Sequence, residues 1–346
     1  MKQDYYKEIV NKTWKRKIPF TVHWELTNRC NLKCVHCYIV PQKSKKELLK
    51  NEIKSILDQL ADVGALYLIF SGGEIFLRKD FFDISHYARK KGFALRLLTN
   101  GTLITSEIAD EIKNIQPLSV EISLYGIDKN VHENITKVPG SYEKTIQAIK
   151  FLKEKKIKTV IKCPLMKQNI TEFEKLKVFA EKLKIGFVYD IVIVPKDNGS
   201  FSPLRYRLTK KQLERFLARN FKFSSKRIKK FKKDEPLCSA GINTVCISSY
   251  GDVFPCVGLK KICPGNLRKK SFEQLWNSSV FEKFREITSS DLYKCKSCKL
   301  FSYCDRCSGL SLLEDGDLLG CSKVARNIAK VVKLINKRRY NGKKRE

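Results

Sequence analysis

Apolar residues are distributed along the chain in two alternating patterns. Short continuous apolar runs are typical of strands buried in a parallel sheet, and apolar residues repeating every three or four positions are typical of amphipathic helices. The runs predict strands at 20–26, 66–70, 93–98, 118–124, 159–163 and 187–194. Helical spacing predicts helices at 45–63, 80–91, 106–114, 141–155, 171–184 and 208–217.

The regular alternation of strands and helices predicts an α/β fold. Parallel neighbouring strands are joined by right-handed crossovers, usually through a helix. The loops that follow the strands then meet at one end of the sheet, where such folds gather their chemistry. We therefore expect functional residues directly after the predicted strands.

The composition is typical of a soluble globular protein. The chain has 346 residues, 42% of them hydrophobic and 30% charged. No apolar stretch reaches the roughly 18–20 residues that span a bilayer, and residues 1–17 lack the apolar core of a secretory signal. We expect a cytoplasmic protein with a catalytic domain and a smaller second domain.

The formal net charge is +33 at pH 7. Such an excess attracts an acidic peptide or RNA. A lysine-rich surface arising from biased composition is the simpler explanation, because lysine is spread over nearly every predicted helix. We expect no nucleic-acid partner, and the charge does not decide the function.

Three cysteines follow the first predicted strand at C-x3-C-x2-C spacing, namely Cys30, Cys34 and Cys37. A [4Fe–4S] cluster held by only three cysteines keeps one iron open for a non-protein ligand. Zinc is the alternative, but it usually takes four protein ligands, and His36 lies too near in the same turn. The spacing favours an iron–sulfur site.

The cysteine loop, with Asn31 and Leu32 inside it, resembles the signature of radical S-adenosylmethionine (SAM) enzymes. The resemblance implies a partial (β/α)6 barrel in which the open iron chelates SAM. Reductive cleavage of SAM would give a 5′-deoxyadenosyl radical, which abstracts a hydrogen atom from the substrate. An external electron donor of the flavodoxin or ferredoxin type is implied as a partner.

Further residues match positions at which this family contacts SAM. The Ser-Gly-Gly-Glu segment 71–74 resembles the GGE motif that binds the SAM amino group, although the family more often has Thr at the first position. A serine on the fourth strand matches a ribose or methionine contact, with a backbone-bonded buried serine as the alternative. The resemblance implies SAM-binding residues at His36, Gly72, Gly73, Glu74 and Ser123.

Other residues near the predicted mouth carry weaker signals. Asn100 and Asn169 follow strands three and five, where turn asparagines are common. Tyr125 faces the predicted mouth and is a candidate substrate contact. We expect His132 at the surface start of a helix and Cys163 as a buried packing residue. No general base emerges from these residues.

A second group of cysteines lies near the C-terminus. Eight of them provide enough thiolates for two four-ligand sites. Zinc knuckles are the competitor, although the five-residue gap between the two C-x2-C pairs is shorter than a usual zinc ribbon. The group comprises Cys238, Cys246, Cys256, Cys295, Cys298, Cys304, Cys307 and Cys321.

This group resembles the SPASM extension of radical SAM enzymes, which holds auxiliary iron–sulfur clusters. One departure is the spacing from Cys304 to Cys307, which is one residue shorter than the commoner pattern and is interpreted as a subtype. The least secure ligand is Cys246: if it is free, either the first auxiliary cluster has an iron open for substrate or Cys263 replaces it. The resemblance implies one auxiliary [4Fe–4S] cluster on Cys238, Cys246, Cys256 and Cys307, and a second on Cys295, Cys298, Cys304 and Cys321.

Composition and motifs together divide the chain into five parts. We predict an N-terminal extension at 1–19, a radical SAM barrel at 20–205 and a basic linker or helix at 206–236. The SPASM domain follows at 237–325, and 326–346 form a basic C-terminal tail. Only about twenty residues precede the first strand, so no fused leader-recognition domain is expected.

The architecture resembles enzymes that mature peptides after translation. The leading hypothesis is hydrogen abstraction from a precursor peptide or protein, giving a thioether or carbon–carbon crosslink, an epimerised residue or an oxidised residue. A separate leader-recognition protein would be a further partner. One alternative is a small-molecule enzyme, such as a haem-pathway tetrapyrrole decarboxylase. Another is a non-catalytic iron–sulfur redox or RNA-binding protein.

Overall fold

A nine-stranded sheet organises the protein, which the computed structural model describes over residues 5–42, 44–220 and 231–342. Its strands are β1 (Thr21–Thr27), β2 (Tyr67–Gly72), β3 (Ala94–Thr99), β4 (Ser119–Ser123), β5 (Thr159–Pro164), β6 (Gly186–Asp190), β7 (Thr244–Ile247), β8 (Asp252–Phe254) and β9 (Gly265–Asn266). Their order is β6-β5-β4-β3-β2-β1-β7-β8-β9, parallel from β6 to β7 and antiparallel beyond. The predicted α/β fold with a parallel sheet is confirmed.

The helices pack beside the sheet and continue beyond it. Those between the parallel strands fall where helical spacing predicts them. A helix before β1 was not predicted, and the helix directly after β4 was expected only through the placement of His132 at a helix start. The helices are α1 (Tyr5–Lys15), α2 (Lys50–Asp62), α3 (Phe81–Lys90), α4 (Ser106–Ile115), α5 (Lys129–Thr136), α6 (Ser141–Glu154), α7 (Phe173–Leu183), α8 (Lys210–Asn220), α9 (Phe272–Trp276), α10 (Ser279–Glu286), α11 (Tyr293–Lys296), α12 (Ser308–Asp315) and α13 (Lys323–Gly342).

Two predicted elements are shorter than expected, each because a side chain redirects the backbone. Helix α2 begins at Lys50 because the Glu52 carboxylate accepts the Leu49 N–H at 2.7 Å, which caps the helix there. Strand β6 ends at Asp190, whose carboxylate accepts the Val192 N–H at 2.7 Å and turns the chain.

The two faces of the parallel strands differ in chemistry. Side chains alternate across a strand, so every second residue faces the helices. The helix-facing residues form the main core and include Trp24, Phe70, Leu97, Ile122 and Ile161. The opposite, inner face carries His23, Glu25, Ser71, Arg96, Glu121 and Lys162. The helix-facing side is therefore apolar, whereas the inner side mixes these polar groups with apolar residues such as Ile69 and Leu98 and is available for a site.

Segments predicted as a linker and a tail contribute to the core. Helix α8, in the predicted linker, buries Leu213, Phe216 and Leu217. Most of the predicted tail is in α13, which buries Val332 and Ile335 in the same core and packs against α8. The lysine-dense stretch 221–230 of the predicted linker lies outside the described residues. Across the three described ranges, no helix combines the length and apolar character needed to cross a bilayer.

Candidate active site and cluster sites

The loop after β1 brings the first three cysteines together. Burial first, and then the neighbouring thiols of Cys37 and Cys30, raise the pKa of Cys34 to about 12. The Cys37 N–H donates to the Cys34 carbonyl at 3.1 Å, and the Leu32 N–H donates to Cys30 Sγ at 3.4 Å. Convergent thiols held by the backbone fit a three-cysteine [4Fe–4S] ligand set, since iron binds the thiolates and displaces their protons.

An asparagine after β3 fixes the position of this loop. The Asn100 amide donates to Asn31 Oδ1 at 2.9 Å and lies 3.8 Å from Cys30 Sγ. Asn31 in turn donates to Thr102 Oγ1 at 2.8 Å. Turn asparagines are so common that the sequence signal for Asn100 was weak. Its link to Asn31, which lies inside the cysteine motif, requires the fold to be known.

Two glycines let the end of β2 touch the cysteine loop. A Cβ on Gly72 would lie 2.1 Å from the Thr27 carbonyl oxygen, and one on Gly73 would lie 2.1 Å from the Arg29 carbonyl oxygen. The Gly73 N–H donates to Thr27 O at 2.7 Å. The two glycines are therefore required for backbone contact, and binding of SAM by this segment stays a prediction.

The Glu74 carboxylate is fully buried and already bonded to the protein. One oxygen accepts from Thr99 Oγ1 at 2.7 Å and from the Phe76 N–H at 3.2 Å, and the other accepts from the Asn100 N–H at 2.7 Å. Burial raises its pKa, which these donors partly oppose. Glu74 thus ties the end of β2 to the end of β3, and its predicted contact with SAM remains a proposal.

Replacing Gly73 with alanine is expected to disrupt the cysteine loop. The added methyl would overlap the Arg29 backbone, so the loop must shift and the ligands with it. We expect at least about a tenfold loss of SAM cleavage, of the size seen when metal-supporting contacts are removed. The measurement is 5′-deoxyadenosine formation under anaerobic, reducing conditions.

Gly92→Ala is the matched control for this change. Gly92 has a φ of +87° but no atom within 4 Å of the position that a Cβ would take, so alanine there adds backbone strain without a clash. Wild-type cleavage by the Gly73 variant would contradict the inferred close approach.

Three further candidates meet at the cysteine loop. The Tyr125 hydroxyl lies 3.9 Å from Cys34 Sγ, and Ser123 on β4 precedes Tyr125 by two residues. The His36 ring packs edge-on against Tyr125 at 5.0 Å between centroids. Burial lowers the pKa of His36 to about 4, and its buried Nδ1 has no hydrogen-bond partner within the described residues. The predicted contact of His36 with adenine stays a prediction.

Three of the residues with weaker signals, His132, Asn169 and Cys163, have roles in packing or turn formation. His132 is almost fully buried, so its expected surface position is wrong: α5 begins three residues earlier, at Lys129, and packs this ring against Tyr125. Its Nδ1 accepts the Tyr125 N–H at 3.3 Å. Asn169 closes the turn after β5 by accepting the Met166 N–H at 2.7 Å. Cys163 is buried in the core, as expected.

Four C-terminal cysteines line one cavity of about 230 Å³. They are Cys295, Cys298, Cys304 and Cys321, the set predicted for the second auxiliary cluster. Burial first, and then the other three thiols, raise the pKa of Cys304 to about 11. Four thiols around one cavity fit a [4Fe–4S] cluster, which such residues would hold as thiolates.

The first auxiliary set is only partly gathered. The pKa of Cys256 is raised to about 12, first by burial and also by Cys238 and Cys307. Close approach of Gly309 to the Gly258 backbone joins the loops after Cys256 and Cys307. The arrangement of these three thiols fits three of the four ligands of one [4Fe–4S] cluster.

Cys246 has a different environment from the other three members of its predicted set. It is fully buried on β7, paired in register with His23. Burial and then the Glu25 carboxylate raise its pKa well above its usual value, while Cys256 acts less strongly. Cys263, the predicted substitute, is exposed and donates to the Gly265 carbonyl at 3.4 Å.

A buried ion-pair network, not predicted from the sequence, joins the two cysteine regions. Lys260 donates to Glu25 at 2.7 Å and to Asp197 at 2.8 Å, and the Tyr38 hydroxyl donates to Glu25 at 3.0 Å. Tyr38 follows the third cluster cysteine, and Lys260 lies four residues after Cys256. The sequence signal that could have indicated this network is Glu25, a glutamate within a strand of mostly buried residues.

Family models match the two halves of this arrangement. The radical SAM superfamily matches residues 24–180, and the SPASM iron–sulfur cluster-binding domain matches residues 238–308. The AdoMet-dependent heme synthase of Methanosarcina barkeri (strain Fusaro / DSM 804) is 30% identical over 87% of this chain and 94% of its own length. This chain belongs to the radical SAM superfamily. It is a SPASM-containing enzyme that uses SAM and [4Fe–4S] clusters, which removes the non-catalytic alternative.

Another relative is named for bacteriocin biosynthesis, and solved structures share the fold. The antilisterial bacteriocin subtilosin biosynthesis protein AlbA of Bacillus subtilis (strain 168) is 28% identical over 87% of this chain and 70% of its own length. SuiB of Streptococcus suis, bound to precursor peptide SuiA, superposes with a TM-score of 0.69 at 17% identity, covering 94% of this chain and 82% of that chain. Native anSMEcpe with bound AdoMet superposes with a TM-score of 0.71 at 19% identity, covering 93% of this chain and 99% of that chain.

Proposed function

We propose that this radical SAM enzyme acts on an iron tetrapyrrole of haem synthesis and removes carboxyl groups from it. The observation that carries the proposal is the heme synthase relative, which is 30% identical and matched over 94% of its length. Two further relatives of 27% identity carry the same name. Half-exposed Arg96 and Lys162 on the inner face of the sheet support an anionic substrate.

The reaction balances with the groups that the family supplies. Cys30, Cys34 and Cys37 would hold the first cluster, and SAM bound there would supply the 5′-deoxyadenosyl radical that takes one hydrogen atom from a side chain of the tetrapyrrole. The bond to the neighbouring carboxylate then breaks, CO2 leaves, a carbon–carbon double bond remains and one electron is released. An oxidised auxiliary [4Fe–4S] cluster is the proposed acceptor of that electron. The protein positions the substrate and excludes water.

Peptide maturation, the leading hypothesis from the sequence, becomes the second candidate. It is supported by AlbA and by the mycofactocin maturase MftC of Mycolicibacterium smegmatis (strain ATCC 700084 / mc(2)155), which is 28% identical over 83% of this chain. The substrate would then be a precursor peptide, and a leader-recognition protein and an external electron donor remain expected partners.

An anaerobic assay with two substrates tests the proposal. Reconstituted, reduced enzyme is incubated with SAM and either iron coproporphyrin III or a precursor-like peptide encoded beside the gene, and products are identified by mass spectrometry. We expect the tetrapyrrole to lose CO2 and two hydrogens per modified side chain, with 5′-deoxyadenosine formed in step. Modification of the peptide alone would overturn the proposal in favour of the second candidate, and modification of neither would refute both.

A further inference from the structure

Two cations on the inner face of the sheet share one buried carboxylate. Arg96 on β3 donates from Nη2 to Glu121 on β4, and Lys162 on β5 donates to the other carboxylate oxygen at 3.3 Å. Glu121 is 6% exposed, whereas the side chains of Arg96 and Lys162 are 42% and 43% exposed. Two cations against one carboxylate leave a surplus positive charge.

Both cations retain donors that the described residues do not use. An arginine side chain has five N–H donors and a lysine three. In the described ranges, only Nη2 of Arg96 is bonded, and the Lys162 ammonium makes one long bond. The remaining donors lie on the partly exposed portions of these side chains. Glu121 orders the two cations in advance, which lowers the entropic cost of binding a further anion between them.

The two cations are linked to the cysteine loop through β4 and the residues that follow it. Lys162 is in register with Ser123 across β5 and β4. Tyr125 follows two residues after Ser123, and its hydroxyl lies 3.9 Å from Cys34 Sγ. The two cations are therefore a few residues from the candidate radical site, within the length of a large substrate.

Other ionisable groups near this face do not pair with Arg96 or Lys162 among the described residues. Burial lowers the pKa of His23 to about 4, so the ring is uncharged near neutral pH, and it is bonded to Ser71 at 2.6 Å. The Glu25 and Asp197 carboxylates both pair with Lys260 instead. Arg96 and Lys162 thus remain as the partly exposed cations of the inner face among the described residues.

We propose that Arg96 and Lys162, held by Glu121, form a carboxylate-binding subsite that positions the substrate inside the barrel. The inference deepens the proposed function, on which it rests for the source of the carboxylate, a tetrapyrrole side chain. The same chemistry would capture an acidic residue of a peptide. The subsite binds a carboxylate that is retained or one that later leaves as CO2.

Binding titrations of the holoenzyme test the subsite directly. Iron coproporphyrin III is titrated under anaerobic conditions and followed by its absorbance, and its tetramethyl ester serves as the uncharged probe. We expect Arg96→Gln and Lys162→Gln each to raise the Kd for the acid at least about tenfold, and Arg96→Lys to restore much of the binding. The ester should bind wild type and both variants equally.

Lys175→Gln is a matched control outside the barrel. Lys175 on α7 is also half-exposed, at 59%, and also pairs with a buried carboxylate, Glu172, at 2.7 Å. We expect its Kd to equal that of wild type. Equal losses in this control and in Lys162→Gln would indicate a general effect of charge and overturn the subsite.

Glu121→Gln separates binding from a purely structural ion pair. The amide keeps the shape and an acceptor oxygen but removes the negative charge, so the affinity for the acid should be kept or increased. A structural ion pair predicts that Glu121→Gln weakens binding as much as Arg96→Gln does. That result, with iron content and circular dichroism unchanged, would refute the proposal.

A glutamate-rich peptide forms the second arm. If wild type binds the tetrapyrrole but the cation variants bind it equally well, the subsite fails and the proposed function stands. If wild type binds only the peptide and the variants weaken it, the subsite stands and the tetrapyrrole function fails. If wild type binds neither probe, the subsite is overturned.

Discussion

Cys34→Ala is expected to abolish SAM cleavage and to remove one of three clusters. Cys34 is the most deeply placed of the three loop thiols, and a [4Fe–4S] cluster left with two protein ligands is not retained. Iron content should fall from about twelve to about eight atoms per chain. The 5′-deoxyadenosine yield should fall by at least about a thousandfold, because without the cluster the enzyme has no reductant for SAM.

Cys163→Ala is the control for this experiment. Cys163 is fully buried in the main core, where its sulfur accepts from the Asn169 amide at 3.5 Å. Its loss leaves a small cavity and should change neither iron content nor cleavage. Full iron and activity in Cys34→Ala would contradict the assigned ligand. A wild-type iron content of about four atoms per chain would contradict the two auxiliary clusters.

Features encoded in short stretches of sequence could be predicted from it. The cysteine loop and the glycines after β2 are local motifs, and apolar runs mark β1 to β6, six of the seven parallel strands. Helix–strand alternation then fixes the parallel sheet with few alternatives. The order of helices and strands along the chain could be predicted without knowledge of long-range contacts.

Features that depend on sheet register could not be predicted in this way. Arg96, Glu121 and Lys162 come from three strands and meet because β3, β4 and β5 are neighbours with a fixed register. Cys246 illustrates the same limit, since its spacing fits the other cysteines while its strand places it beside Glu25. Spacing along the sequence groups the cysteines into candidate ligand sets, but packing decides which groups each thiol faces.

The inferred link between the two cysteine regions predicts a large loss of stability for Lys260→Met. Glu25 is fully buried, and Lys260 is its close cationic partner at 2.7 Å. Burial alone lowers the pKa of Lys260, but Glu25 and Asp197 outweigh it and raise the pKa, so the charged form is favoured. Removing the cation leaves a buried carboxylate unpaired, which typically costs about 3–5 kcal/mol.

Thermal unfolding of anaerobically purified protein measures this cost. The midpoint should fall by several degrees in Lys260→Met, while Lys323→Met should change little. Lys323 is 79% exposed and lies 3.5 Å from Asp315, and such surface pairs contribute about 0–1 kcal/mol. A midpoint equal to wild type in Lys260→Met would show that the pair contributes little to the packing of the auxiliary loop on the barrel.

The double variant Glu25→Gln/Lys260→Met distinguishes charge from shape. If the cost arises from an uncompensated buried charge, neutralising Glu25 should restore most of the midpoint, because Asp197 is partly exposed and can remain hydrated or protonated. If the cost arises from lost packing of the lysine stem, the double variant should be no more stable than Lys260→Met. Recovery would therefore show that paired charges hold the auxiliary-cluster loop against β1. The spacing between the first cluster and the first auxiliary cluster would then depend on this network, because Tyr38 and Lys260 belong to the two cysteine loops and meet on the same carboxylate.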